Sequence, residues 1–125
     1  MLNLTLPGRI FLCTLPTDMR KSFDALTGLV EQALGQDPLS GDLFVFRSKR
    51  GDKIKLLYWD QDGLAIWYKR LEIGTFVLPK ASALETAGAQ GLVLRPADLA
   101  MLLAGVDLAS VKRSKRYQRP KAQAS

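Results

Sequence analysis

Three runs of strand-forming residues, separated by short glycine-containing turns, constrain the fold of this chain more than any other feature. The runs cover 43–48, 53–59 and 64–72, with Arg50-Gly51-Asp52 and Asp60-Gln61-Asp62-Gly63 between them. Turns of this composition join neighbouring antiparallel strands. A fourth strand is predicted at 75–78, after Ile73-Gly74. The pattern therefore favours an antiparallel meander, a topology in which one face is buried and the other can be solvated.

The flanking segments add a strand and two helices to this meander. An apolar strand is predicted at 9–14, ahead of Pro16. Apolar residues from Met19 to Ala33 recur at helical spacing, which predicts a long amphipathic helix. The Thr17 hydroxyl is its predicted N-cap, and Gly35 is predicted to end it. Residues 80–90 are predicted as a loop, and a shorter helix is predicted to begin at Pro96 and end at Gly105. We expect one α+β domain over 1–110, with four to five antiparallel strands.

The net charge of the chain is concentrated at its C-terminal end. Residues 1–110 carry 12 basic and 12 acidic residues, whereas residues 111–125 carry 6 basic residues and no acidic ones. A segment of this composition cannot bury enough apolar area to fold alone, so a flexible tail is predicted over 111–125. The tail suits contact with the phosphates of a nucleic acid. Its candidate contact residues are Lys112, Arg113, Lys115, Arg116 and Arg119.

A second basic group is predicted on the sheet. The residue numbers of facing residues in an antiparallel pair add up to a constant. If Trp59 pairs with Leu64 across the turn, Lys55 therefore faces Tyr68 and Lys53 faces Arg70. Cations with an aromatic ring among them can bind a nucleic-acid backbone and stack on its bases. The candidate residues are Arg47, Lys49, Arg50, Lys53, Lys55, Tyr68 and Arg70. The alternative is an ordinary solvated sheet face whose lysines are neutralised by nearby aspartates.

The opposite face of the same hairpin is the better candidate for the core. It carries Ile54, Leu56, Tyr58, Ala65, Trp67 and Leu71, interrupted by Lys69. Trp59 and Trp67 are predicted to anchor either the core or an interface with a protein partner.

Little in the sequence indicates catalysis. The chain has no histidine and one cysteine, which removes Ser-His and Cys-His nucleophile pairs and leaves no nitrogen and sulfur ligands for zinc. The candidate metal ligands are Asp18, Asp52, Asp60 and Asp62, of which Asp60 and Asp62 flank a turn and could share a divalent cation, as in a metal-dependent nuclease. Aspartate and glycine are also the ordinary residues of a tight turn, which is the favoured interpretation. No cofactor, metal or membrane-spanning segment is expected, and a cytoplasmic location fits the single cysteine.

Five segments of the sequence together carry a family resemblance. They are TDMRKSFD at 17–24, GDLFVFR at 41–47, YWDQDG at 58–63, WYKRLE at 67–72 and MLLAG at 101–105. Their order and spacing resemble TnpB, the second-reading-frame accessory protein of bacterial insertion sequences of family sixty-six.

The resemblance implies a role in DNA transposition as a small helper protein, and it supplies no catalytic residues. Elements of this kind encode a separate transposase, so the expected partners are DNA, bound with low sequence specificity, and the transposase or other proteins of the same element. Two alternatives stay open at this point: an adaptor that binds only protein, and the metal-dependent nuclease built on Asp60 and Asp62.

Overall fold

The fold is α+β, with two helices and a six-stranded mixed sheet. A computed structural model describes residues 8–107 and 112–113 of the chain. The strands of the main sheet are β1 (Ile10–Cys13), β2 (Leu43–Arg47), β3 (Lys53–Asp60), β4 (Gly63–Arg70), β5 (Thr86–Ala87) and β6 (Gly91–Leu94). The helices are α1 (Phe23–Gln32), α2 (Pro96–Ala104) and a single 3-10 turn at Ala81–Ala83. A small separate ladder joins β7 (Val106–Asp107) to β8 (Lys112–Arg113).

The order of strands in the main sheet is β4-β3-β2-β1-β6-β5. The predicted meander is present as β2, β3 and β4, which are consecutive and antiparallel. The expectation of an entirely antiparallel sheet was wrong, because β1 pairs with β2 in parallel. A parallel pair needs a crossover connection, and α1 supplies it. All four residues of β1 are buried, as expected for a strand in the middle of a sheet.

Helices pack on both faces of the sheet, so neither face is solvated over β1 and most of β2, whereas an antiparallel meander could have left one face in water. Leu26 and Val30 of α1 pack against Phe11 and Phe44 on one face. On the other face, Leu99 and Leu102 of α2 pack in the cluster that contains the predicted core residues Ile54 and Leu56. The two faces are called here the α1 face and the α2 face. Two apolar layers explain why β1 and most of β2 lack polar residues.

The first helix is shorter than predicted. It begins at Phe23 rather than near Thr17, and with ten residues it is about as long as α2, which has nine. The Thr17 hydroxyl donates to the carbonyl of Leu15, so it caps no helix. The Thr17 amide donates to the carbonyl of Arg47 at 3.0 Å, which attaches this residue to the end of β2. Gly35 has a φ of 63°, but the helix ends earlier than predicted: its last residue is Gln32 and its C-cap is Ala33, in the right-handed conformation.

The predicted strand at 75–78 is not a strand. Phe76 is fully buried in the cluster beneath α2, and its amide donates to the carbonyl of Gly51 at 2.7 Å. The segment therefore bonds to the turn between β2 and β3 instead of to a neighbouring strand. The predicted loop at 80–90 was also only partly right, since it contains the 3-10 turn and β5. Strand β6, which follows it, had no counterpart among the sequence predictions.

The structure confirms the predicted hairpin register. Lys53 lies opposite Arg70, Lys55 opposite Tyr68, and Trp59 opposite Leu64. The start of α2 at Pro96 and its end at Gly105, with a φ of 79°, are confirmed as well. Of the predicted tail, Lys112 and Arg113 form β8, and Lys115, Arg116 and Arg119 lie outside the described residues.

Within the residues that the structure describes, neither helix is long and apolar enough to cross a membrane.

Candidate nucleic-acid interface

An open cationic cleft lies where the turn ahead of α1 meets the β2–β3 turn and the end of the hairpin. Its volume is about 430 Å³. Three segments that are distant in sequence line it, and we call it the cationic cleft. The lining residues are Thr17, Asp18, Met19, Arg20, Ser48, Lys49, Arg50, Lys53 and Tyr68. Four of them are basic and one is acidic, so the lining carries three more positive than negative charges.

The turn at one wall of the cleft is fixed by a buried lysine. The Lys55 ammonium donates to the carbonyls of Met19 and Lys21, at 2.7 and 2.8 Å. Lys55 is only 8% exposed, and its ammonium nitrogen lies 4.8 Å from the centre of the Tyr68 ring. Its charge is therefore directed at protein groups, in contrast to the predicted role of a phosphate contact. Lys55 positions the turn and the ring that border the cleft.

Asp18 and Arg20 form the outer part of this turn. The Asp18 carboxylate accepts the Arg20 backbone amide at 2.9 Å, and the Arg20 guanidinium donates to both carboxylate oxygens. These hydrogen bonds from Arg20, together with its charge, lower the pKa of Asp18 to about 2. The Arg20 side chain is 92% exposed, so it reaches solvent while one edge of its guanidinium is held.

The opposite wall is the turn from Ser48 to Asp52. The Ser48 hydroxyl donates to Asp52 and accepts the Lys53 amide, at 3.3 and 3.1 Å. Lys53 also forms an ion pair with Asp52 at 3.4 Å, and both side chains are less than one-third exposed. Burial alone would raise the pKa of Asp52, but the charge and hydrogen bond of Lys53 lower it overall. Lys49 and Arg50 at the tip of the turn are exposed and form no ion pair among the described residues.

The fold brings only some residues of the predicted basic group on the sheet together in the cleft. Lys49, Arg50, Lys53 and Tyr68 come together in the cleft, and Arg70 lies beside them opposite Lys53. Arg70 is exposed and forms an ion pair with Glu72 at 3.3 Å. Arg47 does not join the group, because its Nε donates to the carbonyl of Phe76 at 2.8 Å on the α2 face.

Arg20 was not among the residues predicted from the sequence to bind nucleic acid. Nothing in its local sequence separates it from the solvated side of an amphipathic helix. It reaches the cleft because two contacts hold the turn against the sheet: the Thr17 amide bonds to Arg47, and Lys55, 35 positions after Arg20, bonds to Met19. These contacts are tertiary and leave no periodic signal.

The two tryptophans are partly buried. Trp67 packs against the core cluster on the α2 face, whereas Trp59 lies on the other side of the hairpin, opposite Leu64. The role of either residue in a partner interface stays a prediction.

The Asp60–Asp62 turn is exposed and separate from the cleft. Gln61 has a φ of 56° and the Asp62 amide donates to the carbonyl of Asp60, which is the geometry of a tight turn. Among the described residues, no three histidine, cysteine, aspartate or glutamate side chains are close enough to hold a metal ion.

Comparison with known proteins gives a family for the chain. A family model described as "IS66 Orf2 like protein" matches residues 8–113. The protein y4jC of Sinorhizobium fredii is 41% identical over 112 residues, which cover 90% of each chain. A second protein of that organism, y4hO, is 39% identical over 99 residues, covering 79% of this chain and 81% of its own. Both relatives are described as uncharacterized proteins. No solved structure matches the chain.

Proposed function

Because this chain belongs to the IS66 Orf2-like family, we propose that it is a non-catalytic accessory protein of insertion-sequence transposition and that it holds DNA in the cationic cleft. The observation that carries this proposal is the convergence of Arg20, Lys49, Arg50 and Lys53 around an open cleft with Tyr68 at its border. Two of the five segments that carry the family resemblance contribute residues to this cleft: those beginning at Thr17 and at Trp67.

The chemistry of the cleft suits a phosphate backbone better than a small ligand. Lysine and arginine at the end of flexible stems bind phosphates through their charge. Of the three hydroxyl groups of the lining, those of Thr17 and Ser48 donate to Leu15 and Asp52, and the third belongs to Tyr68. Few lining groups are therefore left to read the edge of a base, so binding is expected to depend strongly on salt and weakly on sequence.

Tyr68 adds a stacking surface to these charges. Its side chain is 49% exposed although Lys55 lies against the ring. A half-exposed ring beside a cationic channel is the arrangement by which proteins hold single-stranded nucleic acid. We expect unpaired or distorted DNA to bind more tightly than a continuous duplex, because only unstacked bases can reach the ring.

The basic tail is proposed to strengthen binding without adding specificity. Lys112, Arg113, Lys115, Arg116 and Arg119 contribute cations to a segment that lacks acids. A chain without the tail would neutralise fewer phosphates, so the salt dependence of its binding should be smaller.

The test is fluorescence anisotropy with labelled single- and double-stranded DNA over a salt series of roughly 50 to 300 mM. A variant with Arg20→Gln, Lys49→Gln and Arg50→Gln should bind at least about tenfold more weakly than wild type, with a salt slope smaller by roughly 2 to 3. The matched control removes three charges elsewhere, through Arg9→Gln, Lys69→Gln and Lys80→Gln. We expect the control to lose less than about threefold.

Two results would overturn the DNA-binding proposal. One is the absence of binding to either form of DNA at the lowest salt. The other is an equal loss in both triple variants, which would mean that total charge matters and the cleft does not.

The transposase of the same element is the proposed protein partner. Pull-down of the transposase with and without DNA from the ends of the element distinguishes the two modes of association. Capture that needs DNA supports the cleft, whereas capture without DNA that is unchanged in the cleft variant supports a protein-only adaptor. In the second case Trp59 and Trp67 become the first residues to test.

A further inference from the structure

Strand β4 forms an open edge of the main sheet. It pairs with β3, and no other described strand lies on its outer side. Hydrogen-bonded pairs alternate along an antiparallel ladder, and the Leu71 amide donates to the carbonyl of Asp52 at 2.7 Å. The odd-numbered residues of β4 therefore bond inward to β3. The backbone groups of Leu64, Ile66, Tyr68 and Arg70 point outward from the sheet.

This edge lacks the usual protection against strand addition. Natural edge strands are short, or carry lysine, proline or a bulge in their middle. Here the strand is eight residues long, and its first six residues contain neither a charge nor a proline. The two basic residues, Lys69 and Arg70, stand at its end. The uncharged part of β4 is thus a ready template for another strand.

We propose that a second copy of this chain pairs with this edge, β4 against β4, in antiparallel orientation about a two-fold axis at Ile66. Residues whose backbone groups point away from β3 must lie opposite residues of the same kind in the second copy. Two registers meet this condition and align seven of the eight residues of β4. One is centred on Ile66 and the other on Trp67.

Charge selects between the two registers. Centring on Ile66 places Asp62 of each copy opposite Arg70 of the second copy. Centring on Trp67 places Asp62 opposite Glu72 of the second copy, which sets like charges against each other. Asp62 and Arg70 are both exposed. The ion pair of Arg70 with Glu72 is also at the surface, so Arg70 can replace Glu72 by Asp62 of the second copy at little cost in free energy. The acidic turn at the start of β4 and the basic residues at its end thus make this edge complementary to itself.

The pairing joins the two six-stranded sheets into one continuous sheet. Tyr68, which is 49% exposed in one copy, comes to lie opposite Leu64 of the second copy. A two-fold axis perpendicular to the sheet keeps both cationic clefts on the same face. The Tyr68 residues of the two copies are then roughly 14 Å apart, from the rise per residue and the strand spacing. The pairing is independent of whether the clefts bind DNA.

Analytical ultracentrifugation of the full chain tests the pairing. Wild type should sediment as a dimer, with twice the 13.8 kDa mass of one chain. Asp62→Lys and Arg70→Glu should each weaken the dimer about tenfold, because either change sets like charges opposite each other at two symmetric positions. The variant with both changes should return to within about threefold of wild type, since it reverses each pair and restores attraction.

Amide hydrogen exchange on the wild-type chain supplies a second readout that needs no substitution. The amides of Leu64, Ile66 and Tyr68 should exchange quickly in dilute protein and become protected as the concentration rises. A chain that stays monomeric at about 100 µM in low salt, or a dimer that both charge reversals leave intact, would overturn the proposal. Protection of these three amides in the monomer would also overturn it, because the edge would then be covered by the chain itself.

Discussion

The Lys55 ammonium donates a hydrogen bond to the Met19 carbonyl at 2.7 Å, and this contact joins the hairpin to the turn ahead of α1. Lys55 is a buried cation with backbone carbonyls as its acceptors, so its removal leaves those carbonyls without a charged donor.

We predict that Lys55→Met lowers the free energy of unfolding by about 1.5 to 3 kcal/mol, the range for hydrogen bonds to charged groups. Urea denaturation followed by circular dichroism measures it. Lys49→Met is the matched control at an exposed position, where a change within about 0.5 kcal/mol is expected. Similar losses in the two variants would show that the contact between Lys55 and the turn contributes little.

The Asp18–Arg20 pair gives a prediction for pH. The pKa of Asp18 is lowered to about 2 in the folded protein by the hydrogen bonds from Arg20. A lowered pKa means that the stabilisation is present above the ordinary aspartate range, near 4, and is lost as the pH falls toward 2. Titration of the Asp18 carboxyl by NMR should give this low midpoint. In Arg20→Gln the midpoint should move back up toward the ordinary range, and an unchanged midpoint would contradict the assigned cause.

The start of α2 depends more on Asp98 than on Arg95. The buried Asp98 carboxylate accepts the Arg95 backbone amide at 2.9 Å as well as two bonds from its guanidinium. Asp98→Ala should cost about 1 to 3 kcal/mol, because the amide at the helix start loses its acceptor. Arg95→Ala keeps that amide bond, so the buried carboxylate retains one donor, and it removes a side chain that is 68% exposed; it should therefore cost less than Asp98→Ala. Thermal and urea unfolding of both variants give the comparison, and the reverse order would refute it.

Two glycines should respond to alanine in opposite directions. Gly51 has a φ of 79°, and a Cβ there would meet the Arg47 guanidinium. Gly51→Ala should therefore destabilise the protein by about 1 kcal/mol or more. Gly28 lies inside α1, and a Cβ added to it would meet nothing within 4 Å, so Gly28→Ala should stabilise by about 0.5 to 1 kcal/mol. Differential scanning calorimetry of the two variants shows whether their melting temperatures move apart.

The hairpin was predictable because its information is local. Facing residues in an antiparallel ladder have residue numbers with a constant sum. The two-residue turn at Gln61-Asp62 sets this sum and therefore every facing pair from Asp60–Gly63 to Lys53–Arg70. The sequence also indicated the apolar residues of the α2 face, since they alternate along both strands.

The errors arose where a distant contact replaced the local preference. Thr17 has the chemistry of an N-cap, but its amide is bound to Arg47 and the following turn is held by Lys55, so the helix starts later. Residues 75–78 have the composition of a strand, but Phe76 is drawn into the core and its amide bonds to the turn at Gly51. Such contacts cannot be read from periodicity.

The cleft was half predictable for the same reason. Lys53 and Tyr68 share a face by register, so the hairpin part of the site followed from the sequence. The contact of Lys55 with the turn brings Arg20 to the cleft. The hydrogen bond from Arg47 to the carbonyl of Phe76 keeps Arg47 away from it. Lys55 itself was predicted to face solvent, because a lysine in an alternating strand usually does.

The position of β1 in the middle of the sheet has a consequence for synthesis on the ribosome. The β2–β3–β4 meander can form soon after its residues emerge, because its contacts are local. β1 is synthesised before these strands, but one of its two edges has no partner strand until Gly91–Leu94 is synthesised, some eighty residues later. Until then the nascent chain exposes one edge of an apolar strand, so we expect the incomplete chain to aggregate more readily than the finished domain.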